Sequence, residues 1–144
     1  MSVKRLGKLA VISAVVTWGS MLAIVAQTTM SVGAVRLPRA VMANGEPLAA
    51  GTYLLRLTPE TVTPVVGQAA EGARWVEFVQ GDTVRGRELA TVIPAADVKA
   101  VAKGTPPPSG TARVQMLRGA DYLRVWANLG GTQYLVHLTV SAPK

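Results

Sequence analysis

The sequence predicts an all-β domain: a single antiparallel β-sandwich of about seven to eight strands, with a small barrel as the second architecture, preceded by an N-terminal signal or anchor helix. Three observations carry that expectation. Beyond residue 34, turn signals recur every 8 to 12 residues or so. The runs between them are rich in Val, Thr, Tyr and Leu, residues that fit a pleated, half-buried surface. Several of those runs alternate apolar and polar side chains with the two-residue period of a strand.

The first 34 residues stand apart from that pattern. Lys4, Arg5 and Lys8 form a basic start, and Leu9 to Ala26 is an uncharged run interrupted only by Ser13, Thr17, Gly19 and Ser20. The short Val32 and small Ala34 then suit the minus-three and minus-one positions of a signal peptidase site, so the leading expectation is a cleaved export signal over 1–34 and a mature domain over 35–144. The competing reading is an uncleaved inner-membrane anchor, since 18 helical residues rise about 27 Å against a hydrocarbon core of roughly 30 Å. A lipid anchor on an N-terminal cysteine is excluded, because the chain has no cysteine.

Charge narrows the partners. The chain carries 15 Lys and Arg, three of them in the first 34 residues, so 12 face 8 acidic residues in the rest. The arginines are scattered and form no basic stripe, which argues against nucleic acid. Anionic polymers of the cell envelope are the electrostatic partners this balance favours. Without disulfides, about 110 residues must hold together by packing alone, around a core of Val, Leu and Ala with few large aromatics.

Taken in order, the expected strands are Val35 to Met42, Gly51 to Leu57, Thr61 to Val66, Arg74 to Gln80, Thr83 to Ile93, Thr111 to Leu117, Tyr122 to Asn128 and Thr132 to Val140. Asn44 and Gly45 start a tight turn, and Pro47 restricts the next segment to a short bridge, Glu46 to Leu48. Gly81 with Asp82 and Gly130 with Gly131 mark two further hairpins. Ala95 to Lys103, opening after Pro94 and stopping at Gly104, reads as a short helix. The three prolines at 106–108 favour extended polyproline geometry, so 95–110 is expected as a surface crossover, with a docking loop for a polyproline-binding partner as its rival.

Three tyrosines, Tyr53, Tyr122 and Tyr134, each follow a glycine by two or three residues and precede a leucine. Glycine tolerates the turn, tyrosine suits a strand that starts at a wet rim, and the leucine falls on the opposite face. The repetition is the grammar of a strand leaving a turn. The first example sits in NGEPLAAGTYLLRL, Asn44 to Leu57. That turn, short bridge and rising strand resembles small exported bacterial β-sandwich proteins without assigned function, and is similar in style to transthyretin-like, carboxypeptidase regulatory-like domains. The resemblance implies a β-sandwich with an accessory, non-catalytic role and transfers no functional residue.

Chemistry has few candidates. Beyond residue 34 the serines are Ser109 and Ser141, and the one histidine, His137, lies in a strand as a partly exposed or hydrogen-bonded side chain. No catalytic residues are expected, and neither a metal nor another cofactor. Glu77 and Glu88 keep a polysaccharide-acting hydrolase alive as a remote alternative, although Arg74 and Arg87 make cross-strand ion pairing the plainer account.

The binding candidate is the strand after Gly119. Alternation groups Tyr122, Arg124, Trp126 and Asn128 opposite the apolar Leu123, Val125, Ala127 and Leu129. Aromatic rings beside hydrogen-bonding groups suit a sugar, so that face should look outward or into a shallow groove, with Trp75 and Glu77 extending it. A plainer reading has Trp126 covering the sheet edge with Arg124 stacked on it. The functional expectation is therefore an exported, non-catalytic accessory or binding module of the bacterial envelope, periplasmic or secreted. Its ligand would be an envelope or extracellular polysaccharide or a protein, the alternative being a membrane-anchored structural or assembly protein.

Overall fold

The computed structural model describes residues 29–60, 62–63, 66–67, 72–101 and 104–142. Among the described residues nine antiparallel strands form one continuous sheet: β1 (Met30–Leu37), β2 (Val41–Ala43), β3 (Glu46–Leu48), β4 (Gly51–Leu57), β5 (Ala73–Gln80), β6 (Thr83–Ile93), β7 (Thr111–Leu117), β8 (Tyr122–Leu129) and β9 (Thr132–Val140). The all-β expectation holds, and seven of the strands fall close to their expected limits. Of the strand expected over Thr61 to Val66, residues Thr61, Pro64 and Val65 lie outside the described residues, and Val62, Thr63 and Val66 belong to no strand.

Hydrogen bonding follows the path β1–β4–β5–β6–β9–β8–β7. The β2–β3 hairpin attaches to the C-terminal half of β9, beside the place where β6 pairs with its N-terminal half. The turn between β2 and β3 is Asn44–Gly45 with φ of 48° and 78°, the doubly left-handed geometry that lets a two-residue loop match the strand twist. Seven strands, each antiparallel to the next, leave the two end strands running the same way. β1 and β7 lie side by side in that parallel sense without a hydrogen-bonded ladder between them among the described residues.

Their approach sets a steric condition at Gly33. A Cβ built there would stand 2.9 Å from the Gly110 carbonyl oxygen, and Gly33 holds φ at 130°. The register against β4 also slips between Ser31 and Gly33, a bulge that sends both Val32 and Val35 inward despite their spacing of three. Each is almost fully buried.

This alters the expected domain boundary. The leader or anchor expected over 1–34 lies for the most part outside the described residues, but its last part, Met30 to Ala34, is strand and pairs with Leu57 to Leu54. The folded unit therefore takes in Met30 rather than opening at Val35, because the bulge makes Val32 a core residue. Between β1 and β2 a bend at Pro38 and Arg39 divides what alternation reads as one strand, Val35 to Met42.

The interior fills from alternate positions of every strand in the path. Leu37, Leu55, Leu57, Val76, Phe78, Leu123, Val125, Val136 and Leu138 are nearly or wholly buried, with Tyr53 edge-on to Phe78 at 6.1 Å between ring centroids. The Tyr53 hydroxyl donates to the Ala49 carbonyl at 2.7 Å, so the buried ring keeps its polar end satisfied at the rim.

A chain beginning at Val35 is expected to be less stable by at least about 1.5 kcal/mol than one beginning at Thr29, from the burial of Val32 alone. Urea denaturation of the two chains measures the difference. Equal midpoints would show that the first half of β1 adds nothing.

Candidate functional site

The crossover is where the sequence reading and the structure part. It turns through a short 3-10 segment, Ala95–Asp97, into a single turn of helix, α1 (Val98–Val101), and runs extended through Thr105 to Pro108. Lys103, the expected helix end, lies outside the described residues. Instead of riding on the surface, the crossover lies across the outer face of β8 and β9. Val98 packs there with Ile93, Leu135 and Trp126 in a second small core.

Trp126 is consequently 0 % exposed, although Val125 beside it is 0 % exposed as well. A strand covered on one face only buries alternate residues; β8 becomes buried on both faces from Val125 to Asn128 because the crossover supplies a lid. The Trp126 indole donates to Gln133 Oε1 at 2.6 Å, and Gln133 Nε2 donates to the Gly131 carbonyl at 3.0 Å. Asn128 Nδ2 donates to the Pro107 carbonyl at 2.7 Å, while Asn128 Oδ1 accepts from the Gly131 N–H at 3.0 Å. Ser109 Oγ accepts from the Gly130 N–H, and the Gly110 N–H donates to the Asn128 carbonyl at 2.8 Å. The polyproline run is thus tied to its own domain, with Pro107 buried.

Of the expected binding face, Trp126 and Asn128 are interior, which corrects the expectation that they look outward. Tyr122 and Arg124 remain half-buried and accessible. The Arg124 guanidinium does lie over Trp126, 5.5 Å from the ring centroid, and Arg113 stands at 5.5 Å as well. Trp75 and Glu77 do not extend this surface, because β6 and β9 intervene between β5 and β8 in the sheet. They form their own cluster: Glu77 pairs with Arg56 at 2.6 Å, and Arg87 stacks 4.1 Å from the Trp75 ring while pairing with Glu60 at 2.9 Å. The expected ion pairing of Glu77 and Glu88 with Arg74 and Arg87 is therefore replaced, since Arg74 donates instead to the Thr58 carbonyl.

Glu88 faces Val76 across the β5–β6 ladder while Glu77 faces Arg87, which puts the two carboxylates on opposite faces of the sheet. They cannot flank one glycosidic bond. Glu88 accepts from the backbone N–H of Asn44 and of Leu89. No group of three or more His, Asp or Glu side chains among the described residues is placed to hold a metal ion.

What remains open lies at the Tyr122 end. Cross-strand registers put Gln115, Arg124 and His137 in one row and Leu117, Tyr122 and Thr139 in the next. Arg124 donates through Nε and Nη2 to Gln115 Oε1, at 2.9 and 2.6 Å. A pocket of about 330 Å³ is lined by Leu117, Arg118, Tyr122 and His137. Tyr122 also lines a wider, mainly apolar groove of about 1280 Å³ that runs past Asp121, Thr139 and Val140 to Pro38, Met42 and Pro47.

Sequence reasoning left out Arg118. It sits in a turn whose three residues, Arg118, Gly119 and Ala120, all have left-handed φ of 49°, 64° and 78°. Only the glycine adopts that region without cost, and the RGAD stretch signalled a turn but not its handedness. The turn carries the Arg118 guanidinium over the Tyr122 ring, 5.6 Å from its centroid. His137, though exposed, has its pKa lowered below 6.5, first by desolvation of the ring and second by the positive charge of Arg124.

Comparison with known proteins finds no match: no protein-family model matches the chain, and neither a curated protein nor a solved structure does.

This geometry makes two outcomes expected. Asn128→Ala leaves the Pro107 carbonyl and the Gly131 N–H without their partner and is expected to destabilise the domain by about 1–3 kcal/mol in urea denaturation. Because the folded His137 binds its proton less tightly than the unfolded chain, its contribution to stability is full above pH 6.5 and is lost as pH falls through the lowered folded value. Melting temperatures at pH 7.5 and 5 should therefore fall further for the native chain than for His137→Gln. Parallel pH profiles would remove histidine from the acid sensitivity.

Proposed function

We propose that this chain is an exported, non-catalytic binding module of the bacterial cell envelope, a β-sandwich in architecture, that holds an envelope or extracellular polysaccharide at the Tyr122 end of β8. The observation that carries this reading is the position of Tyr122, which borders both the small pocket and the wide groove. A polymer needs an open-ended path with one point of grip, and an accessible tyrosine ring offers an apolar face to a pyranose with a hydroxyl for its rim. The surplus of basic over acidic residues beyond residue 34, 12 against 8, favours the anionic polymers of that compartment.

The reading moves the ligand away from Trp126, whose burial under the crossover prevents stacking, and onto Tyr122, Arg118, Arg124 and His137. Cosedimentation with insoluble cell-wall polysaccharides tests it. The native chain should pellet saturably with at least one polymer, and Tyr122→Ala should weaken that binding about tenfold, equivalent to about 1.4 kcal/mol. Undiminished binding by the variant would put the site elsewhere, and no binding to any polymer by a cooperatively melting chain would reject the polysaccharide.

A further inference from the structure

We infer that the pocket beneath Arg118 is a subsite for a single carboxylate of an acidic glycan, a uronate unit, with Arg118 as its ionic contact and Tyr122 and His137 as its walls. The inference rests on the proposed polysaccharide reading and names the chemistry of one unit of that ligand.

Four features converge there. First, the pocket is cationic and uncompensated. The ion pairs among the described residues are Arg56 with Glu77 and Arg87 with Glu60, so neither Arg118 nor Arg124 has a carboxylate partner among those residues. Asp121 comes shortly after in the chain, but it lines the wide groove and not the pocket. Second, its volume of about 330 Å³ stands at the lower end of small-molecule sites, suited to one ring or one charged group.

Third, the Arg118 backbone is held in a conformation that arginine disfavours. Left-handed φ at a non-glycine residue brings Cβ against the backbone, and Ala120 bears that strain too. The turn is kept by backbone hydrogen bonds, from the Asp121 N–H to the Arg118 carbonyl at 3.3 Å and from the Val140 N–H to the Asp121 carbonyl at 2.9 Å. Such strain persists where surrounding structure enforces it, and here the enforced result is a guanidinium placed at the pocket. Fourth, the pocket meets the groove at Tyr122, so a charged unit held there leaves the rest of a chain free to continue.

The charge of the group is set by the donors. Arg124 already spends Nε and Nη2 on Gln115, leaving Arg118 as the one guanidinium among the described residues that lines the pocket. One planar fork matches one planar carboxylate through two parallel hydrogen bonds, whereas a phosphate dianion calls for more positive charge than the pocket presents. Desolvation and the Arg124 charge lower the His137 pKa, which favours the neutral ring, able to offer a hydrogen bond without a second charge.

The test is a binding titration of the chain, as recovered from expressing cells, with trigalacturonate and with neutral maltotriose, followed by calorimetry and by the His137 ring signals in NMR. Trigalacturonate should bind at least tenfold more tightly than maltotriose and shift the His137 signals. Arg118→Asn removes the charge while asparagine tolerates the left-handed backbone, and it should abolish that preference at an unchanged melting temperature. Arg85→Gln, an exposed cation lining a different pocket, should leave it intact. Equal affinity for the two sugars, or a preference that survives Arg118→Asn, would overturn the carboxylate subsite while leaving the polysaccharide reading in place. Absence of binding by either sugar, together with no retention on whole polymers, would overturn both. Should Arg118→Asn fold poorly, the His137 shift in the native chain decides the matter alone: a shift with trigalacturonate only supports the subsite, and shifts with both or neither reject it.

Discussion

The burial of Trp126 under the crossover is the constraint on which the outer half of this domain depends. An indole on the solvent side of an antiparallel sheet needs cover for its ring and an acceptor for its N–H. Val98, Ile93 and Leu135 provide the first and Gln133 the second. Burying Gln133 then obliges its own amide to find the Gly131 carbonyl, and Asn128 completes the arrangement by joining the β8–β9 turn to Pro107. No buried side-chain polar atom among the described residues is left without a partner. Removing one member of such a network costs more than its own hydrogen bond, because the partner left behind remains buried.

The same cover decides where a ligand has room. It closes the face of β8 from Trp126 to Asn128 and stops short of Tyr122 and Arg124, so the accessible part of that face is its cationic end. Proline suits the covering role, since the run adopts its extended form with little loss of conformational freedom. The left-handed turn at Arg118 to Ala120 borders this opening, and Asp121, which follows it, accepts a hydrogen bond from the Val140 N–H at the end of β9.

The meeting of the sheet's two end strands imposes the other demand. An odd number of antiparallel strands along the path brings β1 and β7 together in parallel, a relation for which short connections do not exist and which forms no ladder here. Contact is made instead by packing, with Gly33 drawn against the backbone of Gly110 and Thr111. The bulge beside Gly33 sends Val32 into the core, which makes Met30 to Ala34 part of the folded unit.

Strand positions and hairpins were legible in the amino-acid order, because turns such as Asn44–Gly45 and Gly130–Gly131 act through a few adjacent residues and alternation needs only a period of two. The Gly, Tyr, Leu grammar shows where such local reading stops. Tyr53 and Tyr134 point into the core, yet Tyr122 points out and Leu123 takes the core position instead, since each pair's facing depends on the sheet around it. One signal of the second small core was present: Leu135, Ile93 and Val98 are apolar, and Leu135 shares its alternation face with His137. Their convergence on Trp126 depends on the path of a segment across two other strands, a contact between residues distant in sequence. The same holds for the partners of Glu77 and Glu88 and for the approach of Arg118 to His137 across two strands. By itself the sequence determined most of the strands from β3 onward, their turns and a largely aliphatic interior, all set by near neighbours. Only the tertiary structure decided which faces stayed open, because exposure is a property of what lies above a side chain, and here that is a loop from elsewhere in the chain.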